Sequence, residues 1–183
     1  MATQPPRTAT ASRTTSARRP DATPAAAPDV PTAYSYESGR TYRLERLIGK
    51  GGFGEVYLAT PTPRGGFPEQ VCVKISDRFP AWLREAYFAE LLGRESRALK
   101  VFDRFADVVE VGGERRMRYC LAMEYAEHGD LSAWLARKGA QHERFVRREI
   151  AAILGALDAL HRGQGLHRDL TAFNIFVCDD ERL

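Results

Sequence analysis

His167-Arg168-Asp169-Leu170-Thr171-Ala172-Phe173-Asn174 is the stretch on which the fold of this 183-residue chain turns. It follows a segment, 144–161, in which Val146, Ile150, Ile153, Leu154, Leu157 and Leu160 form one apolar stripe. Arg147, Arg148, Glu149 and Asp158 fall on its other faces, so the spacing predicts a long amphipathic helix. After Asn174 comes the apolar run 175–178, which reads as a short strand. The eight residues are therefore a polar loop between a helix and a strand.

Working upstream, Gly49-Lys50-Gly51-Gly52-Phe53-Gly54-Glu55-Val56 lies between two predicted strands, 41–48 and 55–60. Gly49, Gly51 and Gly54 fit the spacing G-x-G-x-x-G. Glycines there let backbone amides approach phosphate oxygens unobstructed. The dinucleotide-binding form of this motif needs a helix after the last glycine; a strand follows here, which excludes it. The alternative is an ordinary hairpin turn. Twenty residues after Gly54 comes Lys74, in a third predicted strand, 70–75. Cys72 and Lys74 share one face of that strand, and Val71, Val73 and Ile75 the other. A lysine in an apolar strand often serves only to keep a sheet edge solvated. Leu83, Tyr87, Phe88, Leu91 and Leu92 predict a helix over 81–98, which carries Glu85 and Glu90. Gly112-Gly113 marks a further hairpin between 108–111 and 119–125, and 131–138 reads as a short helix. Strands first and helices afterwards is an α+β order.

Composition bounds the rest. Residues 1–33 hold six of the ten prolines, nine alanines, seven threonines and no aromatic residue. Such a segment buries too little apolar surface to offset its ordering entropy, so 1–33 is expected to be a disordered tail and 34–183 the folded domain. Arg7, Arg13, Arg18 and Arg19 against Asp21 and Asp29 leave the remainder near +1 of the total +3. That is no footprint for nucleic acid. The most apolar run, 150–160, is interrupted by Gly155 and Asp158 and too short to span a bilayer. Cys72, Cys120 and Cys178 are odd in number and lack metal-ligand spacing, which suits free thiols in a reducing cytoplasm.

In this order, from about residue 42 to 177, the motifs resemble the protein kinase family, of the Ser/Thr type with a bacterial look. His167-Arg168-Asp169-Leu170 with Asn174 matches H-R-D-L-x-x-x-N in full. The resemblance implies a five-stranded antiparallel N-lobe with one helix (34–123), a hinge (124–130) and the start of a helical C-lobe (131–183). It implies transfer of the γ-phosphate of ATP to a Ser or Thr hydroxyl of a protein substrate, with ATP and Mg2+ as cofactors. In that scheme Gly49, Gly51 and Gly54 cover the phosphates. Val56, Cys72, Met123, Glu124, Ala126, Asp130 and Phe176 contact the nucleotide. Met123 is the gatekeeper, Glu124 and Ala126 supply backbone groups to the adenine edge, and Asp130 lies near the ribose. Lys74 reaches the α- and β-phosphates and is held by a helical carboxylate, for which Glu85 is favoured and Glu90 stays open. Asp169 orients the acceptor hydroxyl and accepts its proton, and Asn174 holds magnesium. Asp130 is equally well placed to cap the helix that follows it.

The match has departures. Thr171 stands where the family usually has a lysine, and Thr171-Ala172-Phe173 contains no arginine, so the acceptor type is not readable. No D-F-G segment occurs; Asp179 and Asp180 are not in one. The expectation is thus a kinase fragment with little or no activity, whose long helix leaves apolar surface uncovered. A pseudokinase-like nucleotide-binding scaffold and a small-molecule phosphotransferase of related fold are the rival readings.

Overall fold

The structure is a computed structural model and describes residues 31–178. Most of the expected tail, and Asp179 and Asp180, lie outside the described residues. The chain forms β1 (Thr32–Ser35), β2 (Arg40–Gly51), β3 (Gly54–Thr62), β4 (Val71–Ser76), α1 (Phe79–Leu91), β5 (Val101–Val111), β6 (Glu114–Met123), α2 (Leu131–Lys138) and α3 (Glu143–Arg162). The strands make one antiparallel sheet in the order β1-β2-β3-β4-β6-β5.

Alternation along the strands divides the sheet into two faces. Tyr42, Leu44, Ala59, Val71, Val73, Phe105, Cys120 and Ala122 point to one side and form the core with Ala33. The Tyr42 and Phe105 rings stack with centroids 5.3 Å apart. Val56, Cys72, Lys74, Leu121 and Met123 alternate with these residues and point to the other side. α1 docks against β5 and β6, where Trp82 Nε1 donates to the carbonyl oxygen of Cys120 at 2.9 Å. Pro80 in its first turn supplies a pre-set φ and no amide that would need a partner, so the helix starts two residues before the expected position.

β1 is a sixth strand beyond the five expected. Thr32 and Ala33, counted with the tail above, are its first half. It pairs with β2 and also lies against β5, so the two outermost strands of the sheet approach each other. Polar groups fasten this closure. The Arg118 guanidinium binds Asp107 at 2.5 Å and also donates to the backbone carbonyl of Thr32. Ser38 Oγ and Tyr42 OH donate to Asp103 Oδ2 at 2.5 and 2.8 Å. Burial, and then the Asp103 carboxylate, push the Tyr42 phenol far above its ordinary pKa.

Four expected elements differ most. α1 ends at Leu91, not 98: Leu92, at φ −94° and ψ 4°, leaves helical geometry, and the Gly93 amide closes back onto Glu90 O, three residues away. β5 and β6 are longer than expected. The residues added to β6, Glu114 to Arg118, are mostly charged and exposed, and those added to β5 interleave Asp103, Arg104 and Asp107 with apolar residues, which hid both extensions from a hydrophobicity reading. The run 175–178 is not a strand; it makes a single bridge, Phe176 to Asp130.

Candidate active site

The β2–β3 hairpin closes with Gly51 opposite Gly54 and Gly49 opposite Val56. Gly54 has φ +118°, and a Cβ there would stand 2.1 Å from the carbonyl oxygen of Ile75, so the neighbouring strand itself excludes any side chain. A Cβ on Gly51 or Gly52 would meet nothing within 4 Å. The loop backbone is thus unobstructed there, which leaves room for an anion to approach.

Strand register assembles the patch beneath this loop. Gly49, Val56, Lys74 and Leu121 form one cross-strand row, and Leu58, Cys72 and Met123 the next row on the same face. Lys74 Nζ lies 2.7 Å from both Glu85 oxygens. Glu90 is engaged elsewhere, with Arg104 at 2.5 Å, so the choice between the two glutamates falls to Glu85. The Lys74 and Glu85 side chains keep 22% and 35% exposure, so the ammonium can still meet a ligand. Phe53, at the loop tip, places its ring 5.9 Å from Lys74 Nζ. Burial pushes the Cys72 thiol up to about 11, which keeps it protonated and apolar.

Beyond Met123 the chain crosses to the helices. The Glu124 amide donates to Lys100 O at 2.8 Å, and Ala126 is buried. Residues 128–131 then lie along 175–177: His128 N to Val177 O, Val177 N to Gly129 O and Leu131 N to Ile175 O. Asp130 accepts from the Ala133 amide at 2.9 Å and caps α2. Its side chain is thus occupied by the structural role foreseen for it, and Phe176 is its bridge partner.

The loop 167–174 closes on itself. Asn174 N donates to Thr171 O at 3.0 Å. Asn174 Nδ2 donates to both the backbone oxygen and Oδ2 of Asp169, each at 2.8 Å. Both partners are oxygens, so the amide nitrogen must face them and the carboxamide oxygen is directed away. The loop is tied to α2 by Ser132 N to Ala172 O. Asp169 itself is exposed.

The sequence pattern that defines the protein kinase domain family matches residues 42–183. The chain belongs to the protein kinase family. It is 31% identical over 159 residues to the probable serine/threonine-protein kinase PknB of Bifidobacterium longum, covering 82% of this chain and 22% of that protein. It is 34% identical over 138 residues to the serine/threonine-protein kinase ppk16 of Schizosaccharomyces pombe, covering 75% of this chain and 19% of that protein. The chain thus spans about a fifth of the length of these curated relatives.

Two side chains of this kinase domain were not singled out from sequence. Leu121 sits beside Lys74, and stepping back two residues from Met123 would have found it. Phe53 reaches Lys74 across a turn, and no periodicity signals that contact. A cavity of about 310 Å³ lies between α1, α3 and the loop, lined by Phe88, Leu92, Leu160, His167, Asn174 and Phe176 among others. Gly49, Val56, Cys72 and Lys74 do not line it, so it is distinct from the space under the glycine loop. Among the described residues no helix is long and apolar enough to cross a membrane, and no group of three or more His, Cys, Asp or Glu is placed to hold a metal.

Proposed function

We propose that this domain binds ATP and, in the protein of which it forms a part, transfers the γ-phosphate to a Ser or Thr hydroxyl of a protein substrate. The observation that carries this reading is the Lys74–Glu85 pair. A bidentate carboxylate holds the ammonium on the same sheet face as the glycine hairpin, where a nucleotide's α- and β-phosphates would lie. Val56, Cys72 and Met123 would flank the adenine, Glu124 and Ala126 would meet its edge, and Asp130 and Phe176 lie just beyond. Asp169 is exposed and oriented by Asn174, which suits a carboxylate that accepts a hydroxyl proton.

The donor chemistry fits magnesium in part. The Asn174 carboxamide oxygen is a hard ligand turned away from Asp169. When bound, the ion would neutralise phosphate charge. The chain's own residues orient the acceptor, hold the phosphates and position the nucleotide. The two named relatives are serine/threonine kinases, which supports that acceptor class. Three buried cysteines that form no disulfide support a cytoplasmic setting. Thr171, in place of a phosphate-contacting lysine, favours the alternative of a nucleotide-binding regulator without transfer.

Calorimetric titration with ATP, with and without Mg2+, tests the binding step. Label transfer from γ-labelled ATP to peptide pools with Ser, Thr or Tyr as sole acceptor tests the chemistry. Binding with transfer to Ser or Thr is expected. Binding without transfer would favour the regulator, and absence of nucleotide binding would overturn the reading.

A further inference from the structure

Glu149 lies on α3, yet its side chain is 0% exposed. A buried carboxylate must be compensated. Its Oε2 meets Arg97 Nη2 at 3.0 Å, and its Oε1 meets Arg148 Nε at 2.5 Å. Arg148 is a neighbour on the same helix. Arg97 is not: it belongs to the segment joining α1 to β5, and its own side chain is only 15% exposed. This ion pair therefore crosses from the helical lobe to the sheet lobe.

The segment that carries Arg97 is held at both ends. At one end, Leu92 N and Gly93 N bond back to Phe88 O and Glu90 O of α1. At the other, Lys100 O receives the amide of Glu124. The end of α1 also rests on the chain that leads into the 167–174 loop. A Cβ on Gly163 would stand 2.5 Å from Leu91 Cδ2, and one on Gly165 would stand 2.8 Å from Phe88 Cε1. Two glycines thus let the last turns of α1 settle against backbone. Leu91 and Phe88 alone would leave α1 free to slide along an apolar surface, because such contacts are non-directional. The buried charged contact of Arg97 Nη2 with Glu149 Oε2 at 3.0 Å ties two particular atoms together and opposes that sliding.

We propose that Glu149 is a positioning residue for the nucleotide's phosphates: through Arg97 it fixes α1, and with it Glu85 and Lys74, relative to the lobe that carries Asp169. The inference rests on the nucleotide-binding reading given above. It makes a specific demand. Glu149 touches no ligand, and it acts on the phosphates through Lys74 while the adenine contacts stay as they are. Its loss should weaken ATP and spare adenosine.

The test compares Glu149→Gln and the milder Arg97→Lys with the unaltered chain, after thermal unfolding has verified that each variant folds. ATP and adenosine affinities are measured in parallel, alone and on a Glu85→Gln background. Amide hydrogen exchange of α1 is followed with β3 and β4 as internal references. In Glu149→Gln, ATP affinity should fall by about 5-fold or more, the lower end of ordinary site-to-site coupling, and by no more than removal of Lys74 itself costs. Arg97→Lys should lose less, adenosine should be unchanged, and α1 should exchange faster while β3 and β4 do not. On the Glu85→Gln background the loss of ATP affinity should disappear, because the path it travels is already cut. Equal weakening of ATP and adenosine, or no weakening of either, overturns the proposal. If the unaltered chain binds neither ligand, the nucleotide-binding reading fails separately. The exchange arm still decides the fastening: α1 protection unchanged in Glu149→Gln rejects it.

Discussion

The sheet lobe and the helical lobe of this kinase domain are held by different means. In the sheet, nine mutually packed buried residues from all six strands form a continuous core. Among the helices, Trp134, Leu160, Val177 and Cys178 are buried, while Val146, Ile150, Leu154, Leu170 and Phe173 stay exposed. The sheet is closed by its own side chains. The helices are attached through directional groups: the backbone bonds between 128–131 and 175–177, and the Arg97–Glu149 pair. Apolar packing makes the first lobe stable. Hydrogen bonds and a buried charge pair make the second well placed without giving it a comparable core.

The largest effect that this contrast predicts is at Tyr42, which is fully buried, stacked on Phe105 and bonded to Asp103. Tyr42→Ala should destabilise the chain by about 3–5 kcal/mol, read from urea unfolding. A loss below 1 kcal/mol would break the claim that the sheet core carries the stability.

Lys74→Met removes the cation proposed to meet the phosphates, on the same sheet, without touching that core. Unfolding should shift little. ATP affinity, by calorimetry, should fall by about ten- to a hundredfold, the worth of one charged hydrogen bond. Unchanged affinity in a folded variant would make Lys74 a surface residue.

The sheet lobe also predicts a pH response. Burial pushes the Cys72 thiol up to about 11 and the Cys120 thiol up to about 12, from an ordinary value of 9.0. The folded state therefore keeps protons that the unfolded chain releases. That contribution to stability is fully present below pH 9 and is lost as pH rises from 9 through 11 and 12. Unfolding midpoints measured from pH 8 to 11 should fall, and Cys72→Ala should flatten the lower part of the curve. A flat profile for the unaltered chain would contradict the burial of both thiols.

The smallest effect should be at Leu154, which lies on α3 with 58% of its surface exposed. Leu154→Ser should change stability by no more than about 0.5 kcal/mol. A large loss would show that α3 is packed in solution after all and would weaken the contrast.

How much of this was legible in sequence depends on where each signal sits. The loop 167–174, the glycine hairpin and Lys74 each carry their own residue types at fixed spacing, so they were found together with the fold. Glu85 over Glu90 needed the structure. Both glutamates are on α1, and only the docking of that helix decides which one meets Lys74 and which meets Arg104. β1 was missed because four residues cannot establish a period of two and because they adjoin a Pro- and Ala-rich tail. The pairs Arg97–Glu149 and Asp107–Arg118 were invisible for another reason. Each member looks like an ordinary solvated charge until tertiary contact buries it.

β1 has a practical consequence. The family match begins at residue 42, whereas β1 ends at Ser35. An expression boundary drawn from the match would delete Thr32, Ala33, Ser35 and Ser38. Arg118 would lose its bond to the Thr32 backbone, Asp103 its Ser38 hydroxyl, and the sheet one of its outer strands. The exposed margins of β2 and β5 would then offer unpaired backbone groups to other chains, an invitation to strand addition and aggregation. For anyone producing this domain, the safe first residue lies ahead of Thr32.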